Sequence, residues 1–310
     1  MRIRPWMAPA SLVVLAVALV AAPRLMETLS TAAFTDSRSA TANVVTAAGC
    51  TPGAGSWPSL LANTASPIPS ADRAAYNRLA ATPAATPTGL VPDTWLTTGT
   101  WSSSGMLLAQ PGALYCDPNT AIAADASTDF ATSPSTRQST YGLTASVSST
   151  VMIWVRPASG TSGRLLSLAN GTGGSSRSDR VLWIDASGHV NFAAYDLNNT
   201  ANWTITGTKY VADARWHLLV VTMNGYNTGG ATVTVDGVVD STQAASSTHQ
   251  LFSFGTSNVS WTLGALSAAS TPTGAPTGGA VTSYDEFVLV DATTPLTTAQ
   301  ILSLYQSADV

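Results

Sequence analysis

The sequence predicts an all-β protein: an antiparallel, two-sheet jelly-roll sandwich with a short C-terminal helix and a loop-rich N-terminal extension. Three observations predict it. Short apolar runs of strand length recur at spacings of roughly ten residues, with turn residues between them. No helical periodicity separates those runs, as a parallel α/β fold would require. Charged residues make up only 10% of the chain, against about 25% in an average domain, while 45% of residues are hydrophobic and nine are tryptophan. Ser, Thr, Ala and Gly fill the difference, a profile suited to solvent-facing strand positions over a large core and unlike that of a disordered chain.

From about Trp95 the period is two. Residues 151–156 (VMIWVR) form a β-rich run closed by Pro157, and 165–168 (LLSL) follow. Residues 181–185 and 189–195, joined by Ala186, Ser187 and Gly188, read as a hairpin. Residues 216–223 are nearly continuously apolar, the pattern of a strand buried on both faces. Residues 231–235 (ATVTV) alternate, then turn at Asp236-Gly237 into Val238-Val239. Residues 259–263 and 284–290 complete the strands. The chain closes in a helix capped by Thr297 or Thr298, with Ile301, Leu304 and Tyr305 on one face. Upstream, residues 70–81 (SADRAAYNRLAA) predict a helix: Ser70 can cap it, Asp72 suits its positive end, and Ala75 and Leu79 share a face. Three segments result: a signal over 1–33, a loop-rich extension over 34–94, and the sandwich over 95–310.

Arg2 and Arg4 precede an apolar stretch at 8–22 that is short for a membrane span and suited to an export signal. Thr31 and Ala33 are small residues placed for cleavage after Ala33; the alternative is an uncleaved anchor flanked by Arg24. Cleavage would leave 10 basic and 16 acidic residues, with no Lys/Arg cluster for nucleic acid and no membrane contact of its own. Two cysteines, Cys50 and Cys116, lie beyond the signal, so an oxidising compartment permits a disulfide between them; two buried thiols are the other possibility.

Two resemblances add to these readings. Ala32-Ala33-Phe34-Thr35-Asp36, then Ala40-Thr41-Ala42-Asn43 and Thr46-Ala47-Ala48-Gly49, resemble the start of TasA/camelysin-type secreted proteins. That implies a signal handled by a dedicated peptidase and display outside a Gram-positive-type cell, secreted or at its surface. The second covers residues 100–310. Gly112-Ala113-Leu114, the 120–130 segment, Trp154-Val155-Arg156-Pro157, Trp216-His217, Val235-Asp236-Gly237, Tyr284-Asp285-Glu286-Phe287 and 296–305 fall in the order found in laminin-G-like, concanavalin A-like jelly rolls. Ala124 and Ala126 depart from that pattern, which has Phe and Gly there, and Leu218 replaces a second His. The resemblance implies recognition of a glycan or a surface protein at rim loops. In some members it implies a structural Ca²⁺, for which Asp125, Asp129 and Asp285 are the matching ligands; turn-capping aspartates without metal are the alternative.

The chemistry of an enzyme is thinly represented. Beyond the signal only one glutamate is present, Glu286, and its neighbour Asp285 should point to the opposite face of a strand, one side chain bonding loop backbone and the other meeting water. Such a pair cannot serve a glycosidase. His189, His217 and His249 lack partners at metal-ligand spacing, and His217 reads as a partly buried structural residue. For a sugar, Tyr195 and Trp203 flank Asp196, Asn198, Asn199 and Asn202, a segment with rings for stacking and amides for hydrogen bonds; otherwise Trp203 is strand core. The sequence thus favours a non-catalytic binding module. A structural subunit of an envelope or fibre is the alternative, and a glycoside-active enzyme the weakest third.

Overall fold

Why 151–157 is a strand is visible in where its side chains go. In the computed structural model, Val151, Ile153 and Val155 enter one apolar cluster while Met152 and Trp154 enter another on the opposite face. The structure describes residues 57, 61, 66–82, 89–92, 95, 100–114, 119–141, 148–171, 176–196, 202–225, 228–268, 270–292 and 294–308. The cysteines, the signal, and Asn198 and Asn199 lie outside them.

The described residues form sixteen strands: β1 (Arg73–Asn77), β2 (Ser102–Ser104), β3 (Leu107–Pro111), β4 (Thr120–Ala124), β5 (Phe130–Thr132), β6 (Thr136–Arg137), β7 (Ser148–Pro157), β8 (Gly163–Ala169), β9 (Ser178–Ile184), β10 (His189–Tyr195), β11 (Asn202–Tyr210), β12 (His217–Met223), β13 (Ala231–Val235), β14 (Val238–Gln243), β15 (Asn258–Gly264) and β16 (Thr282–Ala292). One sheet runs β14-β13-β12-β7-β16-β4-β3, with β1 also on β16; the other runs β11-β10-β9-β8-β15-β5-β2, with β6 on β15. The strand pairs are antiparallel, and the two-sheet sandwich expected from the sequence is what forms.

The main core lies between the sheets. Phe192, Trp203, Leu219, Trp261, Tyr284 and Phe287 are among its members. The second cluster covers the outer face of the β7–β16 sheet. There Trp57 packs edge-on against Trp154 at 6.0 Å and its Nε1 donates to the Leu304 carbonyl at 2.8 Å. Leu61, Ile68 and the helix α1 (Thr298–Gln306) close that face. Thr297 caps α1 in a reciprocal box with Gln300, and Ile301 and Leu304 are buried, as its periodicity predicts. Asp236 and Gly237 both take positive φ in the β13–β14 turn, the primed geometry that suits a two-residue hairpin.

The expected helix at 70–81 is corrected. Only Ser70–Asp72 makes a helical turn, of the 3₁₀ type; β1 then pairs antiparallel with β16. A lone twelve-residue helix with two small or medium apolar residues is marginal in water. The free edge of β16 offers a ladder instead, together with burial of Tyr76 and Leu79. The strand falls within the segment that the sequence assigns to the extension.

Candidate functional site: one rim of the sandwich

The turn after β7 (158–162), the β9–β10 turn (185–188), the 211–216 loop, the Asp236-Gly237 turn and the 125–129 turn gather at one end of the sandwich. They are joined there by the 274–281 part of the strap (residues 265–268 and 270–281) between β15 and β16. Backbone hydrogen bonds stitch them together. Gly160 N–H donates to Ala212 O (2.9 Å), Ala214 to Pro157 O (3.0 Å), Ala158 to Val281 O (2.9 Å), Val211 to Gly188 O (2.9 Å) and Gly279 to Ser127 O (2.8 Å). Loops so tied form a fixed scaffold of the kind that presents recognition groups.

Two side-chain devices reinforce it. His217, at the start of β12, sits between two carboxylates: Nδ1 is 2.8 Å from Asp236 Oδ2 and Nε2 is 3.0 Å from Asp213 Oδ1. Burial pushes the imidazole pKa down, but the hydrogen bonds to Asp236 and Asp213 outweigh it, and the net shift is upward. Burial likewise pushes Asp213 up, and its bonds to His217 and the Arg215 amide overcome that to hold it low. An imidazolium donating from both nitrogens fits this arrangement. The structural role expected of His217 is thus given a form: it clamps the 211–216 loop to the β13–β14 turn.

The second device is Arg164, which is fully buried. Its Nε donates to Pro276 O (2.8 Å), Nη2 to Thr271 Oγ1 (3.0 Å) and Nη1 to Ser178 Oγ (3.1 Å), while its backbone N–H donates to Gly278 O (2.8 Å). Desolvation pulls its pKa to about 10, so it stays charged at neutral pH. One guanidinium therefore fastens the strap to the outer face of the β8–β9 sheet. Beneath the strap, Val181, Trp183 and Ala193 pack with Ala275.

Two shallow concavities open on this rim. One, of about 390 Å³, lies between the strap and the β9–β10 turn and is lined by Ser127, Ser162, Trp183, Asp185, Pro276 and strap glycines. The other, of about 450 Å³, is lined by Gln110, Asp125, Arg156, Ala214 and Thr282 among others. Asp185 is held by its own turn: Oδ1 accepts from the Ser187 and His189 amides (2.8 and 3.0 Å) and Oδ2 from Asn191 Nδ2 (2.9 Å). These bonds outweigh burial and lower its pKa.

The residues expected from the sequence fall elsewhere. Tyr195 and Asn202 are a cross-strand pair at the opposite rim, and Asp196 follows Tyr195 there. The Tyr195 hydroxyl donates to Thr271 O at 2.7 Å, and the Arg177 guanidinium lies 5.1 Å from its ring centroid. Trp203 is only 6% exposed, packs with Phe192 and His249 at 5.8 and 5.9 Å, and donates from Nε1 to Gln250 O at 3.2 Å. Its ring is core and offers a sugar no open face, so the alternative of strand core is the one realised.

The three aspartates proposed for calcium do not fit a cation. Asp129 Oδ2 accepts from the backbone N–H groups of Asp125 (3.1 Å) and Ala126 (2.8 Å), closing the 125–129 turn. Asp125 itself is exposed. Asp285 accepts from the Ala113 amide (2.8 Å) and from Asn119 Nδ2 (3.0 Å). Calcium needs converging oxygen ligands, whereas here the Asp129 and Asp285 carboxylates face N–H donors. Among the described residues no group of three or more His, Cys, Asp or Glu is placed to hold a metal ion.

Asp285 and Glu286 also overturn an expectation. Adjacent strand residues should diverge, yet both carboxylates meet the same amide, each with an oxygen 3.0 Å from Asn119 Nδ2. The cause is local. β16 bulges here, Glu286 takes φ +52°, and the ends of β1 and β4 abut on this edge of β16. Tyr76 Oη donates to Glu286 Oε2 at 2.5 Å and Arg78 Nε to Oε1 at 3.3 Å. Neither residue faces water, for both are 0% exposed. Asp285 does bond loop backbone, as expected.

Comparison with known proteins agrees with this architecture. A family model described as the concanavalin A-like lectin/glucanases superfamily matches residues 125–293, more than half of the chain. Among solved structures, the binding domain of Paraclostridial Mosquitocidal Protein 1 superposes with a TM-score of 0.50 at 11% identity, over 77% of this chain and 52% of that one. A Trypanosoma rangeli sialidase in complex with sialic acid superposes with a TM-score of 0.52 at 14% identity, over 77% of this chain and 33% of that one. This chain thus spans about half the length of the first and a third of the second, and at such identities the likeness is one of fold. No curated protein matches it in sequence. The chain belongs to the concanavalin A-like lectin/glucanase superfamily.

Proposed function

We propose that this protein is an exported, non-catalytic module that recognises glycans at the rim formed by the strap and the β9–β10 turn. The observation that carries this reading is the 390 Å³ concavity, where Ser127, Ser162 and Asp185 stand beside Trp183 and glycine backbone. Hydroxyl, carboxylate and bare peptide groups are the hydrogen-bonding mix a polyol requires, while Trp183, only 6% exposed, lines the wall without an open stacking face. Membership of a superfamily of lectins and glucanases, and a fold shared with the binding domain of a mosquitocidal protein, support recognition. The glucanase side of that family would need two accessible carboxylates. Glu286 and Asp285 are buried and bonded to Asn119, which supports binding without turnover.

Export with cleavage after Ala33, display outside a Gram-positive-type cell and a Cys50-to-Cys116 disulfide belong to the same proposal. Secreted material should begin at Phe34 and show both thiols oxidised in non-reducing mass spectrometry. For the site itself, Ser127→Trp places a large ring in the concavity at an exposed position. It should abolish binding on a polysaccharide array while leaving the fold intact. Unchanged binding would remove the concavity from the site.

A further inference from the structure

Trp203 was the ring that the sequence offered to a sugar, and the structure buries it. The aromatic ring it leaves in water is another: among the described residues the exposed large apolar side chains are Leu107, Tyr210, Val238 and Val239. Three of the four belong to one corner of the rim described above. β14 is tied to β11 through Asp240, whose carboxylate accepts from the Thr208 and Lys209 amides at 3.1 Å. Val238 and Val239 therefore stand just before that tie and Tyr210 just after it.

Tyr210 is fixed in place. Its hydroxyl donates to Ala212 O at 2.7 Å. Its ring packs over Gly188, where any Cβ would come within 2.2 Å of the ring. Covering a glycine explains one side of the ring and does not explain why the residue is 50% exposed. Gly188 belongs to the same turn as Asp185 and Ala186, which line the 390 Å³ concavity. The ring and the concavity thus flank a single turn.

We infer that Tyr210 is a stacking platform for a pyranose ring, a second subsite beside the concavity that makes the site one for an oligosaccharide. This rests on the glycan-binding reading above and extends it by a residue and a ligand class. A ring held by its own hydroxyl loses little rotamer freedom when a sugar stacks on it. The area favours a sugar over a protein: one tyrosine and two valines cannot supply the roughly 800 Å² per partner of a stable protein contact, whereas one pyranose face matches one aromatic face. Ser187, exposed in the same turn, and Asp213, one residue beyond the Ala212 anchor, add hydrogen-bonding groups at the border.

The test uses the purified chain with cellohexaose, laminarihexaose, mannohexaose and chitohexaose as probes, read by saturation-transfer NMR and titration. Wild type should bind at least one of them. Tyr210→Ala should weaken that binding tenfold or more, Tyr210→Phe should stay within about twofold, and Ser127→Trp should weaken it as well. Should Tyr210→Ala lower the thermal midpoint, Tyr210→Leu still covers Gly188 but lacks an aromatic face, and must weaken binding to a similar degree. If Ser127→Trp weakens binding and neither Tyr210→Ala nor Tyr210→Leu does, Tyr210 is no subsite and the concavity stands alone. If wild type binds none of the four, or if neither position matters, this inference fails together with the reading beneath it. A protein ligand captured in place of a sugar, and lost in Tyr210→Ala, overturns the sugar assignment.

Discussion

The two sheets of this sandwich bury their outer faces by different means. Over the β7–β16 sheet the cover is apolar and aromatic: Trp57, Leu61, Ile68 and α1 seal Trp154 and Met152. Over the β8–β9 sheet the cover is a strap of small residues, held by a guanidinium and a few hydroxyls above a patch of Val181, Trp183 and Ala193. The first cover resembles a second core. The second is polar, glycine-containing and continuous with the rim. The difference teaches where function can reside: a face closed by large rings gains stability and offers nothing, while a face closed by a hydrogen-bonded strap keeps backbone and hydroxyl groups within reach of a ligand.

That contrast can be broken by mutation. Trp154→Ala removes a fully buried ring from the apolar cover and should cost about 3–5 kcal/mol in denaturant unfolding. A loss below about 1 kcal/mol would show that this cover is not a core. Arg164→Met should cost less, about 2–3 kcal/mol, because the hydroxyls and carbonyls it leaves are unsatisfied while an unpaired buried charge is removed. Its sharper signature is local. Amide exchange at the Gly278, Gly279 and Ala280 positions should accelerate in this variant before the β7–β16 ladder does. Uniform acceleration of both sheets would contradict a separately fastened strap.

The clamp at His217 sharpens the same comparison through pH. Its folded pKa lies above the unfolded value of about 6.5, so the stabilisation is fully present below pH 6.5 and is lost as pH rises through the folded pKa. Asp213 is shifted the other way, and its share is lost as pH falls below the usual carboxylate range. His217→Asn should lower stability by about 1–2 kcal/mol at pH 6. It should also flatten the stability profile above pH 6.5; a wild-type profile flat across that range would refute the clamp. The smallest effect belongs to Asp291 on β16, whose carboxyl is pushed up to about 6 by burial and by the nearby Asp72. Its ionisation in the folded state is unfavourable, so stability is lost as pH rises from about 3.8 through 6. Asp291→Asn should therefore stabilise the protein at pH 7 by about 1 kcal/mol, allowing for screening at this half-buried group. A destabilising result would mean that Asp291 has a compensating partner.

Much of the fold was legible because it rests on periodicity. Residues 151–155 alternate between two clusters, as a doubly buried strand must, and Thr297 with Gln300 announces α1. Residues 70–81 misled because helical composition lost to an open edge on β16, a tertiary fact. The bulge that brings Asp285 and Glu286 onto Asn119 depends on two strands meeting end to end, which no local pattern encodes. The site was legible in part. The NWTITGTKY run of β11 alternates inward at Trp203, Ile205 and Gly207 and outward at Thr204, Thr206, Thr208 and Tyr210. Period two alone would thus have chosen Tyr210 over Trp203. The strap carried no such signal, since an Ala-Ser-Thr-Pro-Gly segment reads as loop until Arg164 is seen to hold it.

The central claim is recognition without turnover at the rim. It is tested most directly by incubating the purified protein with immobilised and soluble polysaccharides, measuring retention and reducing-end release in the same samples. Retention of a glycan, lost in Ser127→Trp, with no reducing ends above a protein-free control, is the result predicted. Cleavage of any glycan that disappears in Glu286→Gln or Asp285→Asn would contradict it.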